Sequence, residues 1–280
     1  MAAQQIEFGS DLFCDSRYSK LPNIISERRM NGAEFIMGTL NHNVFALILA
    51  GGKGERLRPL TDNLPKPMVR VCGKPILEHQ VEWLKAAGAT DVVFLTGCRS
   101  DAIKEYFVDG QDFGIHAHYS VEASPLGRGG AIKMGFAKVP KTENPVAMLN
   151  GDTITDEPLD SLTACHQQRR TENSSHLATV MVVPMVSPDG LVDVNEAGTV
   201  TGFREHVEME HWINSGIYLF DHCIASWLPD LGDHETDTFP WLAQAGQLAA
   251  LKSRCFWRGV DSSKEAEKHF ANRFFPGPTW

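Results

Sequence analysis

The chain has 280 residues, of which 42% are apolar and 22% charged, a composition typical of globular proteins that bury a full core. Its formal net charge of −9 argues against a general nucleic-acid binder, because such a protein needs a basic surface. The six cysteines are scattered without a CxxC pair, which disfavours zinc and disulfide frameworks and favours a reducing, cytoplasmic location. No apolar stretch reaches the ~20 residues of a membrane span, and the N-terminus does not resemble an export signal.

The first 41 residues show little periodicity of apolar residues. Met37, close to their end, precedes a glycine and a polar stretch. This segment is therefore either a family-specific extension or the result of an upstream start in front of a domain that needs only Met37 onward, and we expect no function in it. We predict an N-terminal extension over 1–41, which can be poorly ordered, a main domain over 42–272, and a C-terminal tail over 273–280.

Short apolar runs alternate with helical patterns in the first half of the main domain. A first apolar run precedes ILEHQVEWLKAAG, in which Leu77, Val81 and Leu84 share one helical face and Gly88 ends the helix. The buried strand DVVFLT and the segment SDAIKEYF, with Ser100 as its predicted cap, follow. IHAHYS, RGGAIKMGFAK and VAMLNGD continue this order, which predicts an α/β fold with a mostly parallel sheet covered by helices. Ligands of such sheets bind at the carboxyl ends of the strands.

The second half is richer in β-structure. From Ala178 onward, the apolar segments ATVMVVP, LVDV, TVTGF and INSGIYLF are separated by turn sequences such as SPDG and NEAG. We predict strands here, and we expect this β-rich part to bind a second substrate.

The loop LAGGKGERLRPLT, residues 49–61, contains three glycines and two arginines. Glycines let the backbone approach a ligand and direct N–H groups at an anion, and arginine donates to phosphate oxygens. The loop is not a P-loop, because Lys53 is followed by Gly54, nor a dinucleotide fingerprint, because Leu57 stands where the third glycine belongs. A tight strand-to-helix turn is the alternative, which Arg56 and the following PKPM disfavour.

Together with LPKPMVRVCGKPILEH, this loop resembles the N-terminal signature of the sugar-phosphate nucleotidyltransferases, or nucleotide-sugar pyrophosphorylases. The resemblance extends from about residue 44 to 269 through VEASPLGRGGAI, LNGDTI, GFREH, INSGIYLF and FWRGVDSSKEAEKHF. Within this family, HETDTFPWLAQAGQLAALKSRCFWRGVDS is similar to mannose-1-phosphate guanylyltransferases. The resemblance implies a Rossmann-like sheet on which a nucleoside triphosphate meets a sugar 1-phosphate and releases pyrophosphate. GTP and mannose 1-phosphate are the first expected pair, and 42–272 is the expected nucleotidyltransferase domain.

The resemblance also implies roles for individual residues. The expected catalytic residues are Arg56, which binds the triphosphate, Lys66, which reaches the reacting phosphates, and Asp152. Lys66 stands between two prolines, whose restricted backbone holds it in place. The residues expected to bind the nucleotide are Leu49, Gly51, Gly52, Gly54, Arg56, Gly97, Leu126, Gly127 and Gly129. The residues expected to bind the sugar phosphate are Gly190, Glu205, His206, Asn214 and Gly216.

Two aspartates are the expected ligands of Mg²⁺. Asp152 follows the apolar strand VAML, and Asp261 follows FWRGV in the last third of the chain. Mg²⁺ is typically held by one or two carboxylates and substrate phosphates, so this pair suffices without a histidine or cysteine cluster. The alternatives are a turn residue for Asp152 and a helix cap for Asp261. His211, His222 and His234 have no metal spacing, and we expect them to be surface or packing residues.

Two residues depart from the family pattern. His206 stands where many relatives carry a lysine that grips the sugar phosphate, so this contact is weaker, pH-dependent or supplied by another cation. Arg128 stands where a small residue is common, and it either adds a triphosphate contact or points to solvent. Asn214 either binds the sugar or satisfies backbone groups beside its strand. These departures leave the acceptor open, with a modified sugar or a cyclitol phosphate among the alternatives.

Three functions remain to be compared. The first is an active nucleotidyltransferase, with uridylyl, thymidylyl or cytidylyl transfer to glucose 1-phosphate or another sugar or cyclitol phosphate as the alternative chemistry. The second is a catalytically silent, nucleotide-sugar-binding regulatory subunit, which the presence of Arg56, Lys66, Asp152 and Asp261 disfavours. The third is a dehydrogenase, which the missing dinucleotide fingerprint disfavours. We expect no nucleic-acid or membrane partner, and a homo-oligomer is one of the oligomeric states left open.

Overall fold

A computed structural model describes residues 44–52, 54, 57–59, 61–97 and 99–260. The predicted extension over 1–41 and the tail over 273–280 lie outside these residues. The strands of the described part are β1 (Val44–Leu49), β2 (Arg70–Val71), β3 (Lys74–Pro75), β4 (Ala89–Thr96), β5 (His116–Val121), β6 (Val146–Asn150), β7 (Thr153–Thr155), β8 (Ala178–Val186), β9 (Leu191–Val194), β10 (Val200–Arg204), β11 (Glu208–Phe220), β12 (Leu248–Lys252) and β13 (Trp257–Gly259). The α-helices are α1 (Ile76–Ala86), α2 (Ser100–Phe107), α3 (Gly127–Phe136), α4 (Leu159–Glu172) and α5 (Phe239–Gln244).

A seven-stranded sheet organises these elements in the order β12-β8-β11-β6-β1-β4-β5. Four of its neighbouring pairs are parallel, and the two pairs that β11 makes with β6 and β8 are antiparallel. This arrangement confirms the predicted α/β fold with a mostly parallel, mixed sheet. Three two-stranded pairs, β2–β3, β7–β13 and β9–β10, complete the described strands.

The first βαβ unit follows from its sequence. β1 buries Phe45 through Ile48 on both faces, as expected of a central parallel strand. In α1, the predicted face of Leu77, Val81 and Leu84 is fully buried, and Gly88 follows the helix with a left-handed φ of +85°.

The predicted cap of α2 is wrong. Ser100 is the first residue of the helix, and the cap position is taken by Arg99, which has a left-handed φ of +71°. No side-chain cap hydrogen bond forms there; instead, Arg99 donates to the carbonyl oxygen of Thr61 at 2.5 Å. The left-handed backbone at Arg99 therefore lets the helix begin at Ser100, one residue earlier than a cap at Ser100 implies.

Helices cover the sheet on both faces and create two cores. One core contains apolar residues of α1, α2 and α4, such as Leu84, Ile103 and Leu162. The other contains residues of α3 and α5, such as Ile132 and Leu242. Within the described ranges, no helix combines the length and apolar character needed to span a membrane.

The β-rich second half is only partly separate from the first. The predicted segments around ATVMVVP and INSGIYLF form β8 and β11, which are members of the main sheet. LVDV and TVTGF form the β9–β10 pair, which stands outside it. β11 therefore connects the two parts, because its last residues pair with β6 at the centre of the sheet.

Candidate active site

Loops at the carboxyl ends of four parallel strands form the candidate site. β1, β4, β5 and β6 run in the same direction, so the loops that follow them emerge at one edge of the sheet. Most of the described residues that were predicted to bind nucleotide or metal lie in these loops or at the start of α3.

Lys66 and Asp152 form an ion pair at this edge. The Nζ atom of Lys66 lies 2.6 Å from Oδ2 of Asp152, and the two side chains are 13% and 34% exposed. Lys66 begins a single 3₁₀ turn that follows Pro65 and contains Pro67, so the restricted φ angles of two prolines limit its backbone. A largely shielded ammonium group beside a carboxylate can offer a fixed positive charge to a phosphate group.

The glycine loop packs against this lysine at Gly54. Gly54 has φ +63°, and an ideal Cβ there would lie 2.9 Å from Cβ of Lys66 and 2.8 Å from Cγ2 of Thr61. The Thr61 hydroxyl donates to the Gly54 carbonyl oxygen at 2.7 Å. By contrast, apart from its chain neighbours, no described residue lies within 4 Å of an ideal Cβ at Gly52. Gly54 is therefore required for packing, whereas Gly52 leaves room for a ligand.

A buried glutamine fixes the turn that carries Asp152. Gln80 is 3% exposed on the inner face of α1, and its amide nitrogen donates to the carbonyl oxygens of Asn150 at 2.7 Å and Thr153 at 2.9 Å. These two carbonyls flank the turn. The backbone N–H of Val260, just after β13, donates to the carbonyl oxygen of Asp152 at 2.7 Å. The backbone of this turn is thus held by α1 and by the end of β13.

Gly151 brings the same turn against the loop after β1. An ideal Cβ at Gly151 would collide with the carbonyl oxygen of Leu49 and lie 2.9 Å from Cγ of Pro67. The end of β1, the lysine turn and the Asp152 turn therefore pack as one unit.

Glu122 lies near Gly51, at the start of the glycine loop (49–61), whereas Lys66 lies near Gly54. An ideal Cβ at Gly97 would lie 2.8 Å from Oε1 of Glu122, and one at Gly51 would lie 3.2 Å from the backbone nitrogen of Gly97. The Oε2 atom of Glu122 accepts a hydrogen bond from the N–H of Leu126 at 3.0 Å. The structure thus brings Gly51, Gly97 and Leu126 together around one carboxylate.

The loop that begins α3 is joined to the segment before α5 by its backbone. Gly232 accepts a hydrogen bond from the N–H of Gly129 at 2.9 Å and donates one to the carbonyl oxygen of Leu126 at 3.0 Å. An ideal Cβ at Gly127, which has φ +75°, would collide with the carbonyl of Gly232. Gly127 and Gly129 therefore serve close packing between these two segments.

Arg128 donates three hydrogen bonds to carboxylates of that segment. Its Nε donates to Oδ2 of Asp233 at 2.6 Å, and its terminal nitrogens donate to the two oxygens of Glu235 at 2.8 and 2.9 Å. Partial burial opposes the charge of Arg128, but the hydrogen bonds and charges of both carboxylates outweigh it and raise the pKa. The predicted orientation toward solvent does not describe this arrangement, and the predicted triphosphate contact stays a prediction.

Asn214 belongs to the same network. Its amide nitrogen donates to the Tyr218 hydroxyl at 2.8 Å and to Oε1 of Glu235 at 3.0 Å, and its oxygen accepts from the N–H of Gly216 at 2.9 Å. The Tyr218 hydroxyl donates to the same Oε1 at 2.8 Å, and burial together with the charge of Glu235 raises its pKa. Asn214 thus satisfies a backbone group beside its strand and also contacts the carboxylate that Arg128 holds.

Gly216 joins this network to the Asp152 turn. An ideal Cβ at Gly216 would lie 2.5 Å from the side-chain nitrogen of Asn150, which ends β6. In the sheet, β6 lies between β1 and β11. Asn214 and Gly216 therefore flank the Asp152 turn on the side opposite to the glycine loop.

The other predicted sugar residues lie at the base of the β9–β10 pair. Gly190 precedes β9, and Glu205 and His206 follow β10. An ideal Cβ at Gly190 would lie 2.7 Å from Oε1 of Glu205, so the structure brings these two residues together. His206 adopts a left-handed φ of +54°, which is uncommon for a residue other than glycine.

Two predicted site residues, Arg56 and Asp261, lie outside the described residues. Val260 is the last described residue, and its hydrogen bond to the Asp152 carbonyl places it beside the central turn. The roles of Arg56 and Asp261 stay predictions.

Asp152 is the carboxylate at this edge that suits a metal ion. No group of three or more His, Cys, Asp or Glu residues able to hold a metal occurs in the part of the chain that the structure covers. Magnesium, however, needs only one or two carboxylates when substrate phosphates supply further oxygen ligands. The partly exposed carboxylate of Asp152, with one oxygen bound by Lys66, fits a site shared with phosphates.

Two of the predicted packing histidines are confirmed as such. His234 is fully buried, and its ring lies edge-on to Tyr218 and Phe239. Burial lowers its pKa to about 4, so His234 is neutral at pH 7. His222 packs edge-on to the ring of Phe136.

Three residues of the site were not predicted. Gln80 had a visible signal, because it is a polar residue on the apolar face of α1. Glu122 stands inside the quoted motif VEASPLGRGGAI, and its charge among small residues could have identified it. Glu235 had no local signal, because its partners Arg128 and Asn214 are 107 and 21 residues away.

Residues 45–263 match the nucleotidyl transferase family. The chain is 36% identical to mannose-1-phosphate guanyltransferase beta-B of Xenopus laevis over 227 residues, which are 79% of this chain and 62% of that protein. It is 33% identical to a mannose-1-phosphate guanyltransferase of Gibberella zeae over 228 residues, or 78% of this chain and 61% of that protein. The chain thus spans about 62% of the length of the curated relatives it matches.

Solved structures share the fold at lower identity. HddC from Yersinia pseudotuberculosis, complexed with GMP-PN, aligns with a TM-score of 0.63 and 22% identity, covering 81% of this chain and 99% of that one. A protein from Bacillus anthracis described as a putative glucose-1-phosphate thymidylyltransferase aligns with a TM-score of 0.65 and 20% identity. The alignment covers 85% of this chain and 98% of that one. These similarities support the α/β architecture alone. The family match over most of the chain, together with the sheet and its edge, shows that this chain belongs to the nucleotidyl transferase family.

Proposed function

We propose that this protein joins a nucleoside triphosphate to a sugar 1-phosphate, giving a nucleoside diphosphate sugar and pyrophosphate. The observation that carries the proposal is the Lys66–Asp152 ion pair at the carboxyl edge of the sheet, flanked by the glycine loop. The names of the curated relatives favour GTP and mannose 1-phosphate as the first pair to test. Uridylyl, thymidylyl or cytidylyl transfer to glucose 1-phosphate or another sugar or cyclitol phosphate is the second candidate.

The site divides into two sides around the Asp152 turn. We call the loops with Gly51, Gly52, Gly97 and 122–129 the nucleotide side, since they lie at one edge of the sheet around Gly52, where an added Cβ would meet open space. We call the residues Asn214, Gly216 and Glu235, with the base of the β9–β10 pair, the acceptor side. In this proposal Arg56 also contacts the triphosphate, and Glu205 and His206 contact the sugar phosphate.

The proposed reaction needs no covalent intermediate. A phosphate oxygen of the sugar 1-phosphate attacks the α-phosphorus of the triphosphate, a new P–O bond forms, and the bond to the β-phosphate oxygen breaks as pyrophosphate leaves. The protein must position two polyanions and reduce their repulsion. Lys66 supplies a fixed positive charge at the reacting phosphates, and Gln80 holds the turn from which Asp152 faces them.

Magnesium completes this proposal. Asp152 would hold the ion together with substrate phosphate oxygens, and Asp261 would be its second protein ligand. Bound Mg²⁺ neutralises phosphate charge and polarises the phosphoryl group. The hydrogen bond from Lys66 to Oδ2 keeps the Asp152 carboxylate in a defined orientation for that role.

A catalytically silent binding subunit is the candidate of another class. His206, in place of the expected lysine, is the feature that favours it. The retained Lys66–Asp152 pair disfavours it, since binding alone does not require a carboxylate beside the reacting phosphates.

The test is pyrophosphate release in the presence of Mg²⁺, with the common nucleoside triphosphates crossed against a panel of sugar 1-phosphates. Asp152→Asn is the test variant, and Asp160→Asn, an exposed aspartate in the first turn of α4, is the matched control. We expect release with one preferred pair, loss of about 1,000-fold or more in Asp152→Asn, and wild-type rates in Asp160→Asn. Saturable triphosphate binding without release from any pair would contradict the enzyme and favour the silent subunit. Omitting Mg²⁺ in the same assay tests the metal requirement.

The proposal extends to the cellular setting. Cys165, Cys223 and Cys255 are free thiols, which fits the proposed reducing, cytoplasmic location. The proposed partners are the two substrates, and a homo-oligomer stays one of the open oligomeric states.

A further inference from the structure

Arg128 connects the two sides of the proposed site. It lies in the first turn of α3, on the nucleotide side, yet all three of its described hydrogen bonds go to Asp233 and Glu235. We infer that Arg128 is a positioning residue for the acceptor, an inference that rests on the proposed function. Arg128 holds Glu235, and Glu235 in turn orients Asn214. Arg128 also neutralises carboxylates beside an anionic substrate.

The contacts run without interruption from one side to the other. Arg128 binds both oxygens of Glu235, and Oε1 of Glu235 accepts from Asn214 at 3.0 Å and from Tyr218 at 2.8 Å. Asn214 in turn binds the N–H of Gly216, which contacts the Asp152 turn. A bidentate guanidinium fixes both the position and the plane of a carboxylate, so Arg128 determines where Oε1 lies. The orientation of the Asn214 amide follows from that position.

The charges in this network give Arg128 a second effect. Asp233 and Glu235 are 30% and 26% exposed, and a sugar 1-phosphate is an anion. Two carboxylates without a cation would repel that anion, whereas the paired arrangement leaves a smaller net negative charge. Asp237 adds a third carboxylate, which accepts a hydrogen bond from the backbone N–H of Asp233 at 2.8 Å. The acceptor side therefore depends on Arg128 for charge as well as for geometry.

The test measures both KM values in Arg128→Met with the substrate pair that the wild type prefers. We expect the acceptor KM to rise about tenfold and the triphosphate KM to change by less than about twofold. Arg254→Met is the matched control, because Arg254 also binds both oxygens of a glutamate, at 2.7 and 2.9 Å, and this glutamate is Glu208 rather than Glu235. The control is expected to leave both KM values unchanged.

A double-mutant cycle with Glu235→Gln separates positioning from a structural role. The glutamine amide keeps an oxygen for Asn214 but removes the charge, so Arg128→Met should cost less acceptor affinity in this background than in the wild type. A rise in triphosphate KM would overturn the inference and make Arg128 a triphosphate ligand. Lower thermal stability with both KM values unchanged would overturn it as well.

Binding measurements keep this test independent of turnover. If the wild type releases no pyrophosphate with any pair, the proposed function fails, and calorimetric titration with mannose 1-phosphate decides the inference. Weaker binding by Arg128→Met than by wild type and Arg254→Met would support it. Equal binding, or no binding by the wild type, would overturn it.

Discussion

The nucleotide side of the proposed site is built mainly from backbone and glycine, whereas the acceptor side is built from charged side chains. On the first side, Gly51, Gly54 and Gly97 pack so closely that an added Cβ would meet neighbouring atoms. On the second, Arg128, Glu235 and Asn214 are held by hydrogen bonds between side chains. Backbone groups can bind the phosphates common to every nucleoside triphosphate, while side chains can differ from one acceptor to the next.

The difference also explains what each side tolerates. A glycine in a close packing contact cannot change without moving its neighbours, whatever the ligand. An ion-pair network can be rearranged by substituting pairs of residues. We therefore expect specificity for the acceptor to be easier to alter than the capacity to bind a triphosphate.

The largest effect is expected where the two sides meet. Lys66→Met removes the positive charge that the proposed reaction places at the phosphates, and it leaves the Asp152 carboxylate without its 2.6 Å ion pair. We expect kcat to fall by about 1,000-fold or more. Steady-state kinetics checks this, with Lys138→Met at an exposed position as control. A loss below about tenfold would remove Lys66 from the chemistry.

A paired glycine substitution separates packing from ligand binding on the nucleotide side. Gly151→Ala would force a Cβ against the carbonyl oxygen of Leu49, and we expect urea unfolding to show a loss of roughly 2 kcal/mol or more. Gly52→Ala meets no described residue within 4 Å, so its unfolding free energy should change little. Its triphosphate KM should rise severalfold, because the new methyl group occupies ligand space. Equal destabilisation by both substitutions would contradict the distinction.

Gln80→Met tests whether the Asp152 turn needs its support from α1. Methionine matches the length of glutamine but cannot donate to Asn150 and Thr153, so two buried carbonyls lose their partner. We expect kcat to fall by about 10- to 100-fold with smaller changes in KM, as the carboxylate loses its fixed position. Kinetics on protein shown to be folded by circular dichroism checks this. An unchanged kcat with reduced stability would make Gln80 a purely structural residue.

The smallest expected effect concerns α4, the helix that packs against β8 and β12. His166 on α4 is buried beside Thr179, and burial lowers its pKa to about 3. The unfolded chain takes up this proton near pH 6.5 while the folded protein does not, so the stabilisation present above pH 6.5 is lost as pH falls toward 3. We expect His166→Gln to reduce the pH dependence by up to about 1.4 kcal/mol per pH unit in this window. Urea unfolding at pH 7, 6 and 5 measures it, and identical slopes would contradict the assignment.

The sequence predicted which residues lie together on the nucleotide side better than on the acceptor side, for a physical reason. Gly51, Gly52 and Gly54 stand within four residues, directly after an apolar strand, so the chain itself brings them together. Alternating elements likewise predicted a mostly parallel sheet, because strand and helix periodicities are local properties. For Asp152 the place at a strand end fits a turn residue equally, and the resemblance to the family made it an expected site residue.

Long-range pairing limits such predictions. Arg128 and Glu235 are 107 residues apart, and nothing near either residue indicates the other. Gln80 reaches Asn150 across 70 residues, although its place on a buried face was a visible signal. The cap of α2 was misassigned because the backbone conformation of Arg99 depends on its surroundings, including its contact with Thr61. Such features need the folded structure.

The most direct test of this account is the stereochemistry at the α-phosphorus. In the proposed reaction the acceptor phosphate attacks the triphosphate directly. The alternative is attack by the amine of Lys66, which the proposal places at the reacting phosphates. The measurement uses a nucleoside triphosphate with a chiral α-thiophosphate and determines the configuration of the product. One direct displacement predicts inversion. Retention would require two displacements and a covalent enzyme intermediate, and it would contradict the account.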